Sequence, residues 1–180
     1  MARVALLEKE TAHPRVREMF EKMEAGGYQV LNVYKAVAHA PTIGPDILRL
    51  GNKILMKGKL SPKLREFAIL RIGDLANAPY EFTKHVHFGE QAGISRAQID
   101  ALPHWERSEL FDEHERAVLA YTDEVSRTYR ARDETFAALR GFLDEQEIVE
   151  LTIVIGFYEM MCRLLEALQI ELEDEEFQTF

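Results

Sequence analysis

Cysteine is almost missing from this chain. The single residue, Cys162, excludes an intramolecular disulfide and a zinc site built on cysteines, and it suits a reducing compartment. Positive charge is also short. Lys and Arg number 22 against 31 Asp and Glu, a formal charge of −9. A surface that binds nucleic acid needs a basic patch, and the sequence has none. Long apolar runs are lacking too. The most apolar stretch, 151 to 165, still holds Glu159 and Arg163 and is too short to span a bilayer. The opening "MARVALLEKETAHP" has no signal-peptide core, so a soluble, cytoplasmic protein with no membrane partner is expected. Glycine is scarce and no alternating apolar pattern persists, which leaves little room for strands.

What remains reads as helix. The 180 residues are expected to form one all-α domain, 1–180, of about eight to ten helices, long enough to bury a real core. Pro14 opens a helix to about Glu24, "VLNVYKAVAHA" makes a short one, and Pro45 to about Lys57 another. Ser61 is expected to cap "SPKLREFAILRIGDL", and Asn77-Ala78-Pro79 breaks the chain before a helix that ends at Gly93. Ser95, Asp112, Asp133 and Asp144 are read as the starts of four more. The acidic tail "ELEDEEFQTF" is read as a solvated, fraying helix end. From Leu64 to Leu75 apolar side chains cover more than half the circumference, and from Leu151 to Leu165 nearly all of it. Such helices must be covered on every side, which predicts a homo-oligomer as well as a core.

Chemistry concentrates in "NAPYEFTKHVHF", residues 77–88. With Pro79 at the first helical position, Glu81 stands third and His85 one turn later on the same face. A carboxylate beside an imidazole raises its basicity, and such a pair moves protons near neutral pH. His87 lies about 200° around the axis from His85 and cannot share a ligand with it. No third ligand is evident for Glu81 and His85, so no metal is expected. Glu66, on the preceding helix, shares an apolar stripe with Ile69, Leu70 and Gly73. An acid there is expected to be half-buried with its carboxyl pushed up, unless Arg65 or another cation reaches it. Arg65 and Arg71 should diverge in direction. The two helices should pack as a hairpin, which lets Glu66 face the Glu81/His85 turn. A capping glutamate and a routine surface Glu–His pair would give the same spacing.

The stretch "LSPKLREFAILRIGDLANAPYEFTKHVHFGEQAGISRAQIDAL", 60 to 102, resembles the carboxymuconolactone decarboxylase family, which includes the alkylhydroperoxidase D branch. The similarity runs on through "NVYKAVAHAP" and "LRGFLDEQEIVELTIVIGFYEMMCRLLEALQIELE", with its best-matched core at 30–172. It implies an orthogonal helical bundle that assembles as trimers or hexamers, with pockets near subunit contacts. The peroxidase branch carries E-x11-C-x-H-C-x3-H. Laid on this chain, that pattern puts its glutamate on Glu66 and its last histidine on His85. Ala78, Tyr80 and Glu81 fall on the first cysteine, the middle histidine and the second cysteine. Both sulfurs are gone, so the resemblance implies a member inactive as a thiol peroxidase. It points instead to the decarboxylase side: a cofactor-free lyase, or an isomerase or hydrolase, acting on a small lactone or carboxylic acid from aromatic catabolism. Glu66, Tyr80, Glu81 and His85 would be its acid–base set. A non-catalytic helical oligomer that binds a small ligand is the alternative.

Other reactive residues have structural readings. Cys162 is expected in the core, Trp105 and Phe111 should seal it, and His39 suits a helix end. Glu159 and Arg163 read as a buried ion pair. "YEFTKH" and "YEMMCR" form a faint internal echo.

Overall fold

The computed structural model describes residues 1–173, all-helical with no strand among them. In chain order the helices are α1 (Pro14–Ala25), α2 (Asn32–Val37), α3 (Gly44–Lys57), α4 (Pro62–Leu75) and α5 (Pro79–Gln91). There follow α6 (Arg96–Ala101), a 3-10 segment (Leu102–Arg107), α7 (Glu113–Thr128), α8 (Asp133–Arg140) and α9 (Glu145–Leu168). The chain forms two compact units, Met1–Lys53 with Leu165–Phe180, and Ile54–Leu164.

The first unit is small. Val16 and Phe20 of α1 are buried with Ala12 and Ala38, and Leu7, Met19, Val30 and Tyr34 pack around them. His39 Nε2 contacts the carbonyl of Ala5 at 2.8 Å, the structural role its position suggested.

The second unit is built around α4. Every residue from Arg65 to Gly73 is buried, as its broad apolar circumference requires. Phe67 and Leu70 join Ile94, Ile99, Leu102, Trp105, Phe111 and Leu119 in one core, and Phe67 meets Phe111 edge-on with centroids 5.7 Å apart. Arg71, also buried, forks onto Asp123 at 2.6 and 2.8 Å and reaches Asp74 and the Leu102 carbonyl. That cation therefore binds α4 to α7, and it points away from Arg65.

Two glycines set how closely α5 lies on α4. A Cβ at Gly73 would stand 3.3 Å from Phe82 Cα, and one at Gly89 would stand 3.0 Å from Leu70 Cδ1. A side chain at Gly73 would press on the Phe82 backbone, and one at Gly89 on the tip of Leu70. The hairpin turn between the helices places Asn77 in the left-handed region, at φ 49°, and the Ala78 N–H bonds the Gly73 carbonyl at 2.9 Å, closing the end of α4.

Several local expectations need adjusting. Ser95 and Asp112 form full capping boxes, and Asp144 and Glu147 exchange two bonds of 3.0 Å at the start of α9. Ser61 holds the N-cap position of α4 without a side-chain cap bond. There, Glu150 of α9 instead accepts the backbone N–H groups of Lys59 and Leu60, both at 2.7 Å. Arg132, not Asp133, occupies the N-cap of α8. α9 stops at Leu168, before the acidic run begins, and 174–180 lie outside the described residues. Cys162 is buried, as expected of a small core hydrophobe. The expected burial of the Glu159–Arg163 pair is not found. The two meet at 3.3 Å, but Arg163 is exposed, because that edge of α9 faces outward. On the same outward face Val149 is 57 %, Ile153 46 % and Met160 38 % exposed. Among the described residues no helix is long and apolar enough to cross a membrane.

Candidate functional site

The first turn of α5 and the second turn of α4 meet across the glycine crossing. Pro79 opens α5, Glu81 is in its first turn, and His85 follows one turn on. On α4, Glu66 is completely buried at 0 % exposure. Its Oε2 lies 2.7 Å from His85 Nδ1, and His85 Nε2 lies 3.1 Å from Glu81 Oε1. The imidazole is thus clasped between two carboxylates, one from each helix. The other oxygen of Glu66 is held by Arg65, whose Nε and Nη2 both stand 3.0 Å from Oε1. Arg65 Nη1 donates to the Leu55 carbonyl at 2.9 Å. That carbonyl belongs to the last turn of α3, where the helix has no partner of its own to offer.

Four charged groups therefore form one chain, Arg65–Glu66–His85–Glu81. Burial pushes the His85 imidazolium toward losing its proton. The charge and hydrogen bond of Glu66, and then those of Glu81, outweigh that and hold the histidine up at about 9. At neutral pH the ring therefore carries its proton, held between the two glutamates. All four members of the chain are buried, and Glu66, at 0 % exposure, is the deepest. Aromatic rings complete the enclosure. Tyr158 of α9 meets the imidazole edge-on at 4.9 Å between centroids, and Phe88 lies at 5.4 Å.

The sequence-derived set is brought together in part. Glu66, Glu81 and His85 are in direct contact. Tyr80 is buried on the same first turn with the Lys84 ammonium 5.7 Å over its ring. His87 turns away, as the helical angle requires, toward Phe88, and its buried Nε2 has no hydrogen-bond partner. Both ring nitrogens of His85 are engaged by carboxylates, and no trio of His, Cys, Asp or Glu among the described residues is arranged to hold a metal ion. Sequence reasoning named Arg65 as a cation that could reach Glu66 but expected it to diverge from the site, and it did not place Tyr158 there. Successive helical residues normally diverge, which hid Arg65; Tyr158 was visible only as the tyrosine of the "YEMMCR" echo.

Residues 41–124 match the sequence profile of the carboxymuconolactone decarboxylase family. Over that stretch, just under half of its length, the chain is similar to that family. Solved structures agree in fold. A peroxidase-related protein with an alkylhydroperoxidase AhpD core from Ralstonia eutropha shares 17 % identity at a TM-score of 0.82, over 96 % of this chain and 93 % of that one. A putative antioxidant defence protein AhpD from Agrobacterium tumefaciens shares 24 % identity at 0.68, over 75 % and 93 %. The debrominase Bmp8 shares 20 % identity at 0.75, over 93 % and 90 %. No match was found among curated protein sequences. Set against the family's peroxidase pattern, Glu66 and His85 are the glutamate and final histidine, and here they touch. Where that pattern has its second cysteine, this chain presents Glu81, in contact with the same histidine.

Proposed function

We propose that the protein is a cytoplasmic, cofactor-free acid–base enzyme of the carboxymuconolactone decarboxylase type, a lyase acting on a small lactone or carboxylic acid. The observation that carries this reading is the buried chain of paired charges ending at Glu81. Two bare carboxylates would repel an anionic acid. Contact with Arg65 and His85 offsets their charge, so an anionic substrate is tolerated beside them.

Decarboxylation breaks a carbon–carbon bond, releases CO₂ and leaves the electron pair on a carbon conjugated with a carbonyl. That carbanion needs one proton. The proton on His85 Nε2 passes to Glu81 and from Glu81 to the carbon. The new C–H bond forms, His85 is left neutral, and it regains a proton from water. Glu81 is the more exposed of the two carboxylates, so in this reading it is the one that meets substrate. Glu66 and Arg65 stand behind and fix the ring. Tyr80 supplies a hydrogen bond to a substrate oxygen. The same proton traffic serves an isomerase or a lactone hydrolase, with the carbon–carbon bond left intact. Thiol peroxide reduction gains no support, because the two thiol positions hold Ala78 and Glu81 and Cys162 is buried.

The test is product formation and CO₂ release from a panel of small lactone carboxylic acids. Turnover should be flat through neutral pH and fall as pH rises through about 9, when His85 loses the proton it delivers. Absence of turnover across the panel, or a rate that climbs past that point, overturns the proposal. Homo-oligomerisation, as a trimer or hexamer, belongs to the same reading, with the outward apolar face of α9 covered by a second copy. Light scattering coupled to size exclusion should report more than one chain per particle, and a monomer rules this out.

A further inference from the structure

Gly156 has no explanation inside the chain. It sits in the middle of α9, where glycine gives up helix stability that alanine would keep. A Cβ there would meet nothing within 4 Å. Gly73 and Gly89 differ, since each lets α5 approach α4. The neighbours of Gly156 on its own face are apolar and uncovered. Val149, Ile153 and Met160 fall with it at the spacing of a helix-pairing stripe, and all three are exposed. Thr152, beside them, donates to the Ile148 carbonyl and meets the Tyr121 hydroxyl, so it adds no unmet polar group. Tyr121 in turn lies 6.5 Å from the ring of Phe136 on α8, which is also exposed. The apolar surface is therefore wider than one helix, as a stable interface of about 1,200–2,000 Å² requires. The other side of α9 is already spent. Tyr158 meets His85 edge-on, and Leu151, Val154 and Ile155 are buried.

We infer that a second copy of the chain covers this face, its α9 running antiparallel to this one and crossing it on a two-fold axis at Gly156. This deepens the homo-oligomer reading and rests on it. The stripe is complementary to itself. Ile153 stands three residues before Gly156 and Met160 four after it. About a two-fold there, Ile153 meets the partner's Met160. Val149 and Arg163 each stand seven residues from the glycine. Arg163, exposed beside Glu159, therefore lays its apolar stem over the partner's Val149. Its guanidinium then reaches the partner's Glu145, one turn further on in the acidic first turn of α9 and exposed beside Arg140. Parallel helices would set these like charges against each other, so charge selects the antiparallel pair. On the axis, two glycines let the helices approach to about 8 Å, the short end for packed pairs. Of a trimer and a hexamer, only a hexamer contains such an axis.

Light scattering on the wild type should report an even number of chains per particle. Gly156→Leu puts a branched side chain on the axis and should weaken association at least about tenfold. Its circular dichroism should stay that of the folded protein, because the chain itself leaves position 156 open. Oxidative cross-linking then fixes the register. Ile153→Cys/Met160→Cys should form disulfide-linked dimers, while either single variant cross-links far less. Within one chain these two positions are about 10 Å apart along the helix and cannot bridge each other. Val149→Cys should stay uncrosslinked alone and cross-link when combined with Arg163→Cys. A wild-type monomer overturns the inference together with the homo-oligomer reading. An oligomer that survives Gly156→Leu unchanged, or that gives no dimer from the 153/160 pair, overturns the α9 crossing and leaves assembly through another surface. An odd chain number, or Val149→Cys alone cross-linking as strongly as the 149/163 pair, overturns the two-fold. None of these readouts depends on turnover, so the acid–base reading is tested separately.

Discussion

Replacing Glu81 by Gln should lower turnover by about 10²- to 10⁴-fold, the usual contribution of a positioned acid–base group, while thermal stability changes little. The amide keeps the shape and a hydrogen-bond acceptor 3.1 Å from His85 Nε2, but it cannot take and release a proton. Glu81 is the outermost carboxylate of the chain, and His85 keeps Glu66 as its charged partner after the change. His85→Gln should cost a similar factor. The two losses should not add: the double variant should be no slower than the slower single one, because both break one relay. Steady-state rates on the substrate that the panel identifies, with melting curves alongside, check this. Full activity in both single variants would remove the site.

The largest effect on stability belongs to Glu66. Changing it to Leu leaves Arg65 and the His85 imidazolium side by side with no buried anion between them, and should cost about 3–5 kcal/mol. Glu66→Gln should cost less, since it keeps one acceptor. The pH dependence has a definite sign. His85 is held above its ordinary value, at about 9 in the folded protein. Its contribution is therefore fully present below about 6.5, where the unfolded histidine is also protonated, and is lost as pH rises through about 9. Melting curves at about pH 6 and about pH 10 should show this loss in the wild type. In Glu66→Leu the ring loses its strongest partner and burial dominates, so the alkaline loss should largely disappear. Equal slopes in the two proteins would mean that Glu66 does not hold the proton.

Much of this arrangement was readable in the residues. The proline and serine signals marked most helix starts because capping is local chemistry. The spacing of Glu81 and His85 fixed their shared face without tertiary information. The burial of Glu66 followed from the apolar stripe around it, and its approach to His85 from a short hairpin. The completeness of that burial was not readable, because it depends on Arg65 bending back by one residue and on the Leu55 carbonyl that holds it. Nor was Tyr158, more than seventy residues away in sequence from His85 (positions 158 and 85) and brought in only by the path of α9. Apolar periodicity likewise overstated the coverage of α9. It says which side chains avoid water, not which have found a neighbour within one chain, and Val149, Ile153 and Met160 have not.

The close crossing at Gly73 and Gly89 has a consequence for redesign. At Gly73 the glycine backbone lies against the backbone and Cβ of Phe82, and at Gly89 against the tip of Leu70, which holds α5 close on α4. The separation of Glu66 from His85 is consequently a property of the scaffold rather than of the residues that use it. Position 81 lies a turn before that frame's histidine, at the rim. Its side chain can be exchanged, carboxylate for amide or thiol, while the buried half of the relay stays in register. One rigid hairpin can thereby carry different reactive heads in front of the same histidine.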